Sequence, residues 1–283
     1  MKMKIVADSS ANLLSLPDID FGVVPLHIIV GENDYDKIDL TAMQENLSSY
    51  KGKTSTSSPS PHEWENAFGD ADVVFCITIT SSLSGTYNSA VIAKDIYEHN
   101  HTGRKVYVLD SLSTGPEIAL FIEKIAELIK AGFAPDDIYK TLLEYKDKTH
   151  LYFSLASLNN FAKNGRISPV IAAGIGLLGV RVVGKASDEG TLLPLDKCRG
   201  EKRALKKLID HLKECGYTDG KIIIAHNNNE AGALELKKLI ENTFGIFNGT
   251  IQKTRALCSY YAEPGSLLIG FEASLCNHKP YKD

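Results

Sequence analysis

A cluster of hydroxyl side chains around one glycine lies in the first half of the chain, in the stretch SSLSGTYNSA at residues 81–90. It follows an apolar, β-rich run, ADVVFCITIT, and it precedes a helical pattern. Hydroxyl and backbone N–H groups at the start of a helix can bind an anion, and the helix dipole favours negative charge there. Since the stretch contains no Lys or Arg, it predicts a site for a singly charged or polar head group rather than for a triphosphate.

Three other junctions carry similar groups. Residues 8–10 (DSS) follow the first predicted strand, residues 110–114 (DSLST) follow the fourth, and a predicted loop at residues 54–60 (TSTSSPS) precedes a helix. Loops that follow neighbouring parallel strands meet at one edge of a sheet, where ligands of open α/β sheets bind. Ser, Thr and Asp are also preferred helix N-caps, which explains any single turn without a ligand. Their repetition at four junctions favours a binding crevice.

Strands and helices alternate in the first half of the chain and position these turns. The predicted strands are residues 4–7, 23–30, 73–80 and 105–109, and the helical patterns are residues 41–49, 61–68, 89–98, 115–131 and 135–146. Such alternation with apolar strands predicts a parallel sheet that is covered by helices on both faces.

The second half changes character after residue 149. Strands are predicted at residues 151–156, 180–185, 191–197, 221–226, 250–254 and 266–271, and helices at 169–178, 201–214 and 230–244, with a short helix that stops at 164–165. The turn sequence DEG at residues 188–190 makes the second and third of these strands a hairpin. We therefore predict an α/β protein of two domains. Residues 1–150 form a parallel-sheet α/β/α domain that bears the head-group loops, and residues 151–283 form an α/β domain with a mixed sheet.

Composition and charge exclude several function classes. The 283 residues include 35 acidic and 31 basic side chains, and the net charge of −4 disfavours nucleic-acid binding. No run approaches 18 uninterrupted apolar residues, so we expect no membrane span. The five cysteines are scattered without a CxxC pair, which argues against a zinc site and fits a reducing cytoplasm.

Two enzymatic interpretations stay open as alternatives to a binding protein. Residues 174–179 (GIGLLG) match the G-x-G-x-x-G dinucleotide fingerprint, although a strand rather than a helix is predicted to follow. Ser84 lacks the upstream glycine of a nucleophile elbow, while His226, at the carboxyl end of a predicted strand, is the best-placed base. An acyl or phosphoryl transferase that uses Ser84 or His226 is the main alternative.

Two basic features lie in the second half. Arg166 follows a helix stop, where a helix C-terminus or a surface ion pair accounts for it as well as a ligand does. The stretch RGEKRALKK at residues 199–207 predicts a solvated basic helix face. A docking surface for an acidic partner is the sharper alternative.

Together the motifs resemble those of the DegV family, bacterial fatty-acid-binding proteins that serve as substrate-carrying subunits of fatty acid kinase. The resemblance covers nearly the whole chain. It rests, in family order, on IVADSSANL, TSSPSPHEW, SSLSGTYNSA, VYVLDS, LNNFAKNGRIS, DKCRG and the closing EPG. SSLSGTYNSA is the most specific of these motifs.

The resemblance implies a long-chain fatty acid in a narrow apolar tunnel at the domain junction, and a protein that is not itself an enzyme and needs no cofactor or metal. Thr56 and Ser84 are implied to hold the carboxylate, with Arg166 close to them. The full set of implied ligand-binding residues is Thr56, Ser57, Ser84, Gly85, Thr86, Arg166 and Tyr261. The implied partner is the ATP-binding subunit of fatty acid kinase, which phosphorylates the exposed carboxyl group in the cytoplasm.

The chain departs from the family pattern at three places. Ser58 replaces a glutamine, and Tyr261 replaces the histidine of a His-Thr-Gly-Pro-Gly motif. The loop between Thr56 and Ser84 is also shorter than usual. Tyrosine donates a hydrogen bond but, with a pKa of about 10, it does not titrate near neutrality. The Gly- and Ala-rich segment at residues 170–183 is expected to leave room for the acyl tail.

Overall fold

The described part of the chain forms three sheets and the helices around them. The computed structural model describes residues 1–35, 43, 45, 47, 49–167 and 179–273. The strands are β1 (Met3–Asp8), β2 (Phe21–Val24), β3 (His27–Val30), β4 (Asn33–Tyr35), β5 (Thr54–Ser57), β6 (Val73–Thr78), β7 (Lys105–Asp110), β8 (Thr149–Leu155), β9 (Val180–Ala186), β10 (Leu192–Arg199), β11 (Ile222–His226), β12 (Gly249–Lys253) and β13 (Leu267–Glu272). The α-helices are α1 (Pro61–Phe68), α2 (Thr86–Asn100), α3 (Pro116–Lys130), α4 (Pro135–Lys146), α5 (Asn159–Lys163), α6 (Glu201–Glu214), α7 (Glu230–Phe244) and α8 (Ala256–Ala262).

The two large sheets differ in strand direction. The first is parallel, in the order β2–β1–β6–β7. The second has the order β10–β9–β8–β13–β11–β12, in which β11 and β12 pair in parallel and the other neighbours are antiparallel. A small antiparallel sheet, β4–β3–β5, completes the set. These sheets confirm the predicted fold class, with a parallel sheet in the N-terminal part and a mixed sheet in the C-terminal part.

One helix lies between the two large sheets. α1 and α2 cover one face of the parallel sheet, and Trp64 and Phe68 are fully buried there. α3 covers the other face and also packs on β8, β11 and β13 of the mixed sheet, so residues 116–122 are all buried. A Cβ on Gly270 of β13 would lie 2.5 Å from the carbonyl carbon of Pro116, which is why only glycine allows this close approach. α6 and α7 cover the outer face of the mixed sheet.

Many predicted elements have the predicted bounds. The helices at residues 61–68, 135–146, 201–214 and 230–244 are confirmed at both ends. Local signals mark their ends: Ser60 and Glu63 form a capping box before α1, and Gly245 closes α7 in the left-handed conformation. The hairpin is confirmed as the antiparallel pair β9 and β10.

Other predictions need correction. The single strand predicted at residues 23–30 is two strands in different sheets, because Pro25 lies between them and has no N–H for a ladder. The predicted loop at residues 54–60 begins as strand β5, which pairs with β3. Helix α8 was not predicted, since its seven residues are too few for a clear helical period. Of the helical patterns at residues 41–49 and 169–178, most of the first and all of the second lie outside the described residues.

Candidate functional site

A cavity of about 280 Å³ lies between the carboxyl edge of the parallel sheet and the inner face of the mixed sheet. The turns after β6 and β7 line it from one side, and alternate residues of β8 line it from the other. β5, α5, α8 and the β9–β10 hairpin contribute further lining residues. Apolar side chains form much of this wall, and eight of them are leucines: Leu26, Leu83, Leu112, Leu151, Leu155, Leu192, Leu257 and Leu268.

Thr56 and Tyr261 form a polar contact in the cavity wall, with their hydroxyl oxygens 2.6 Å apart. Thr56 lies on β5 and Tyr261 near the end of α8, so the contact joins the small sheet to the C-terminal part. Burial raises the pKa of the Tyr261 phenol, against the opposing effects of the Thr56 hydrogen bond and the Arg166 charge. Tyr261 is therefore a neutral hydroxyl at physiological pH.

Ser84 lies in the same wall, immediately before α2. Its hydroxyl is 2.7 Å from the Thr86 hydroxyl and accepts a 3.4 Å hydrogen bond from the Thr86 N–H. Thr86 itself is fully buried behind Ser84. Gly85 is the N-cap of α2 and supplies no capping side chain, so Ser84 and the first N–H groups of the helix lie together beside the cavity. Ser57 and Gly85 are exposed at its rim.

Arg166 supplies a positive charge to the cavity wall. Its guanidinium donates a 2.8 Å hydrogen bond to the carbonyl of Asn164. Among the described residues, no carboxylate lies within 4.0 Å of it as an ion-pair partner. This cation is thus available to an anion in the cavity.

The hydroxyl-rich turn after β1 is placed differently from the other three. Asp8 is buried, and its carboxylate accepts hydrogen bonds from the N–H of Ile79 at 2.6 Å and of Ser10 at 2.9 Å. Burial raises the pKa of Asp8 to about 6, although these hydrogen bonds oppose the shift. Ser9 accepts the N–H of Leu26 at 2.9 Å. Since Ile79 and Leu26 line the cavity, this turn shapes the wall from behind.

The tip of the β9–β10 hairpin closes the cavity against the parallel sheet. The Thr80 hydroxyl donates a 2.9 Å hydrogen bond to the carbonyl of Gly190, and the Ser82 hydroxyl donates one to the carbonyl of Glu189. Gly190 has φ +76°, and a Cβ there would lie 2.1 Å from the Thr80 hydroxyl. A glycine is required for this contact.

His226 does not join Ser84. It lies at the end of β11, is buried, and accepts the N–H of Asn229 at 3.3 Å as α7 begins. Burial lowers the pKa of the imidazole. It is absent from the described cavity wall, so the geometry favours the local capping role for this histidine.

Sequence reasoning missed several lining residues. Phe161 of α5 packs its ring 4.8 Å from that of Tyr261, and Leu151 and Phe153 point into the cavity from β8. The period of two along β8 could have shown that these two share a face, but not which face meets a cavity. Residues 174–178 of the GIGLLG stretch lie outside the described residues.

The described part of the chain contains no group of three or more His, Cys, Asp or Glu side chains placed to hold a metal ion. In the same residues, no helix has both the length and the apolar character that a bilayer crossing requires.

The chain matches a known protein family along almost its whole length. The family described as "Uncharacterised protein, DegV family" matches residues 2–274. The chain belongs to the DegV family. Both the matched range and the fold confirm the resemblance.

Relatives in the DegV family share sequence and fold along almost their whole length. A DegV domain-containing protein of Streptococcus pneumoniae is 40% identical over 279 residues, which cover 96% of this chain and 99% of the relative. A DegV family protein from Eubacterium eligens, loaded with heptadecanoic acid, superposes with a TM-score of 0.93 at 39% identity, over 96% of this chain and 99% of that chain. The Streptococcus pneumoniae Fatty Acid Kinase (Fak) B3 protein, loaded with linoleic acid, superposes with a TM-score of 0.94 at 39% identity, over 96% of this chain and 100% of that chain.

Proposed function

We propose that the chain binds a long-chain fatty acid in the cavity between the two large sheets and presents its carboxylate to the ATP-binding subunit of a fatty acid kinase. One observation carries this proposal: a single cavity joins apolar side chains to the hydroxyls of Thr56, Ser84 and Tyr261 and to Arg166, which has no carboxylate partner among the described residues. The ligands of the two similar structures, heptadecanoic acid and linoleic acid, support the ligand class.

The acyl tail is assigned to the leucine-rich wall. Leu151, Phe153 and Leu268 come from neighbouring strands of the mixed sheet and offer a continuous apolar surface. Each buried methylene stabilises the complex by about 0.8 kcal/mol, so a tail of about 16 carbons supplies most of the affinity. The polar groups then fix which end of the ligand lies where.

The carboxylate is assigned to the hydroxyls of Thr56, Ser84 and Tyr261, with Arg166 as the counter-charge. Thr56 and Tyr261 already form a hydrogen bond with each other, and Ser84 has Thr86 as its partner. An arriving carboxylate accepts hydrogen bonds from this set because hydroxyl groups can turn their protons toward a stronger acceptor. Ser57 and Gly85 at the rim leave that end of the ligand open to a partner.

We assign no catalytic residue to this chain. The described hydrogen bonds of the Ser84 hydroxyl are to Thr86, and His226 lies outside the described cavity wall. The kinase transfers the γ-phosphoryl group of ATP to a carboxylate oxygen of the bound acid, which gives an acyl phosphate and ADP. A protein that supplies a substrate to an ATP-dependent kinase is expected in the cytoplasm. We also propose a domain boundary near residue 150, where β8 begins.

Lipid extraction tests ligand binding directly. Purified protein is denatured, and the released small molecules are identified by mass spectrometry alongside the mass of the intact chain. We expect about one fatty acid per chain and an unmodified protein mass. A covalent adduct on Ser84 would support the transferase alternative, and a released nucleotide would support the dinucleotide alternative.

Reconstitution tests the kinase partner separately. Delipidated protein is reloaded with oleic acid and mixed with ATP and the ATP-binding subunit of a fatty acid kinase. The acyl phosphate is trapped with hydroxylamine as a hydroxamate. Protein that carries fatty acid but yields no hydroxamate would leave lipid binding intact and overturn the partner assignment.

A further inference from the structure

Glu263 has an unusual backbone conformation for a residue with a side chain. It follows α8 directly, with φ 58° and ψ 160°, a region that is populated almost entirely by glycine. Its N–H still bonds to the carbonyl of Ser259 at 3.1 Å and so ends the helix. A glutamate persists in such a conformation only where its surroundings hold it there.

The Glu263 side chain reaches from the end of α8 to the start of α5. One carboxylate oxygen accepts hydrogen bonds from the Ser157 hydroxyl at 2.8 Å and from the Asn160 N–H at 3.2 Å. The Asn160 side chain returns the contact by donating to the carbonyl of Tyr260 at 2.7 Å. The two short helices are therefore tied together in both directions.

Helix α5 depends on these contacts for its position. It has five residues, none of them buried, and no capping side chain on its N-cap residue. A helix this short is not stable by itself in water. Glu263 accepts the N–H of Asn160, and Ser157, which donates to Glu263, accepts the N–H of Asn159 at 3.1 Å. At the other end, Asn164 donates a 2.8 Å hydrogen bond to the buried Tyr260 hydroxyl.

α5 and α8 position two residues of the cavity wall that we assign to the carboxylate, Arg166 and Tyr261. Arg166 is held by α5, because its N–H bonds to the carbonyl of Phe161 at 2.9 Å and its guanidinium bonds to Asn164. Tyr261 lies on α8, two residues before Glu263, and packs against Phe161. The distance between α5 and α8 thus sets the distance between the Arg166 charge and the Tyr261 hydroxyl.

The geometry points to Glu263 as a positioning residue, which holds Arg166 and Tyr261 at the separation that a fatty acid carboxylate requires. This inference rests on the proposed function and adds to it a residue that lies behind the cavity wall. Glu263 acts through α5 and does not touch the ligand.

The test compares two ligands in Glu263→Gly. Glycine adopts this backbone conformation without strain, so the variant keeps the turn and removes the side chain with its carboxylate. We expect the Kd for oleic acid to rise about 10-fold and the Kd for oleyl alcohol, which lacks the carboxylate, to change less than about twofold. The melting temperature should stay equal or increase. Glu263→Gln keeps an acceptor oxygen at this place and should restore most of the affinity for the acid.

A control variant and a second test variant complete the experiment. Asp18→Gly also removes a side chain from a residue with positive φ, but Asp18 is 87% exposed and does not line the cavity, so both Kd values should stay unchanged. Ser157→Ala removes the hydroxyl that donates to Glu263. Its Kd values for the two ligands test the inference if Glu263→Gly does not fold.

Three results would overturn the inference while wild-type protein still binds oleic acid. The first is an unchanged oleic acid Kd in both Glu263→Gly and Ser157→Ala. The second is an equal loss of affinity for acid and alcohol, and the third is a Glu263→Gln variant as weak as Glu263→Gly. Failure of the wild type to bind either ligand would instead contradict the proposed function.

Discussion

The hydroxyl oxygens of Thr56 and Tyr261 lie 2.6 Å apart, in the wall of a cavity that eight leucines also line. The pair connects β5 to α8, and the two residues are 205 positions apart in the chain. Both groups are uncharged, so the pair keeps its hydrogen bond in the absence of a ligand. A carboxylate that binds here replaces a neutral contact by charge-assisted ones, which are the stronger kind.

Ser84→Ala and Thr56→Ala should each weaken fatty acid binding. Each variant removes one donor to the carboxylate, and such a bond contributes roughly 1.5–3 kcal/mol, which corresponds to a rise in Kd of about 10- to 150-fold. The fold should persist, since both side chains lie at the cavity wall. Isothermal titration with oleic acid measures the change. Wild-type Kd values in both variants would contradict the assigned head-group site.

The affinity of wild-type protein for a fatty acid should be nearly independent of pH between about 6 and 8, after correction for ionisation of the ligand. Burial raises the pKa of Tyr261 above its usual value of about 10, so this group stays neutral throughout that range. Tyr261→His should introduce tighter binding as the pH falls toward 6, because a protonated imidazole attracts the carboxylate.

The same titration in the two proteins distinguishes this explanation from others. Tyr261→Phe serves as the matched control, since it removes the hydroxyl and adds no titrating group, and its affinity should be lower at every pH. A steep pH dependence in the wild type would mean that another titrating group reaches the head group. His226 would then become the first residue to substitute.

The turns that form the head-group site could be predicted from sequence, but their roles could not be separated. Asp8 ends a parallel strand and caps a short 3₁₀ helix at residues 9–11, and SSLSG at residues 81–85 follows a parallel strand and precedes α2. Only the folded chain shows that Asp8 turns inward to accept the N–H of Ile79, whereas Ser84 lies in the cavity wall. In both turns a side chain accepts the N–H of the residue two positions later, so the difference in role comes from the neighbouring strand.

The partners of β5 could not be predicted either. TSTS in β5 is polar and has no apolar alternation, so its strand conformation depends on pairing with β3, some 27 residues earlier in the chain. Only the family motif points to Tyr261 in the sequence, because α8 is too short for a periodic signal. The residues of α5 and α8 that hold Arg166 and Tyr261 in place meet through contacts between distant parts of the sequence.

The unfolding free energy should decrease as the pH rises from about 5 to 8, because of Glu117. This carboxyl is buried between the two large sheets, where it accepts the Ser113 hydroxyl at 2.5 Å and the Thr149 hydroxyl at 2.8 Å. Burial raises its pKa from 4.5 to about 7, against the effect of these hydrogen bonds. Because the folded pKa lies above the unfolded one, Glu117 stabilises the folded state by on the order of 3 kcal/mol below about pH 4.5. This stabilisation is lost as the pH rises through 7.

Urea unfolding of Glu117→Gln across the same pH range measures this contribution. The variant keeps an acceptor oxygen for Ser113 or Thr149 and cannot ionise, so the slope between pH 6 and 8 should become flatter. Asp8, with a pKa of about 6, contributes a slope of the same sign at lower pH. Glu127→Gln, on the exposed side of the same helix, should keep the wild-type slope. Equal slopes in wild type and Glu117→Gln would show that Glu117 is not the source.

Leu151→Phe should shift the bound fatty acids toward shorter chains. Leu151 is buried on β8, lines the cavity and lies opposite Gly270, the strand residue that packs on the start of α3. A phenylalanine there takes up space that the end of a long tail requires, at a cost to stability of about 1–3 kcal/mol. Mass spectrometry of the extracted lipids should show a lower mean chain length than in wild-type protein.

Leu205→Phe, buried in the core on the other side of the mixed sheet, imposes a comparable strain without narrowing the cavity. Its lipid profile should match the wild type, and an unchanged profile in a folded Leu151→Phe variant would place the tail away from β8.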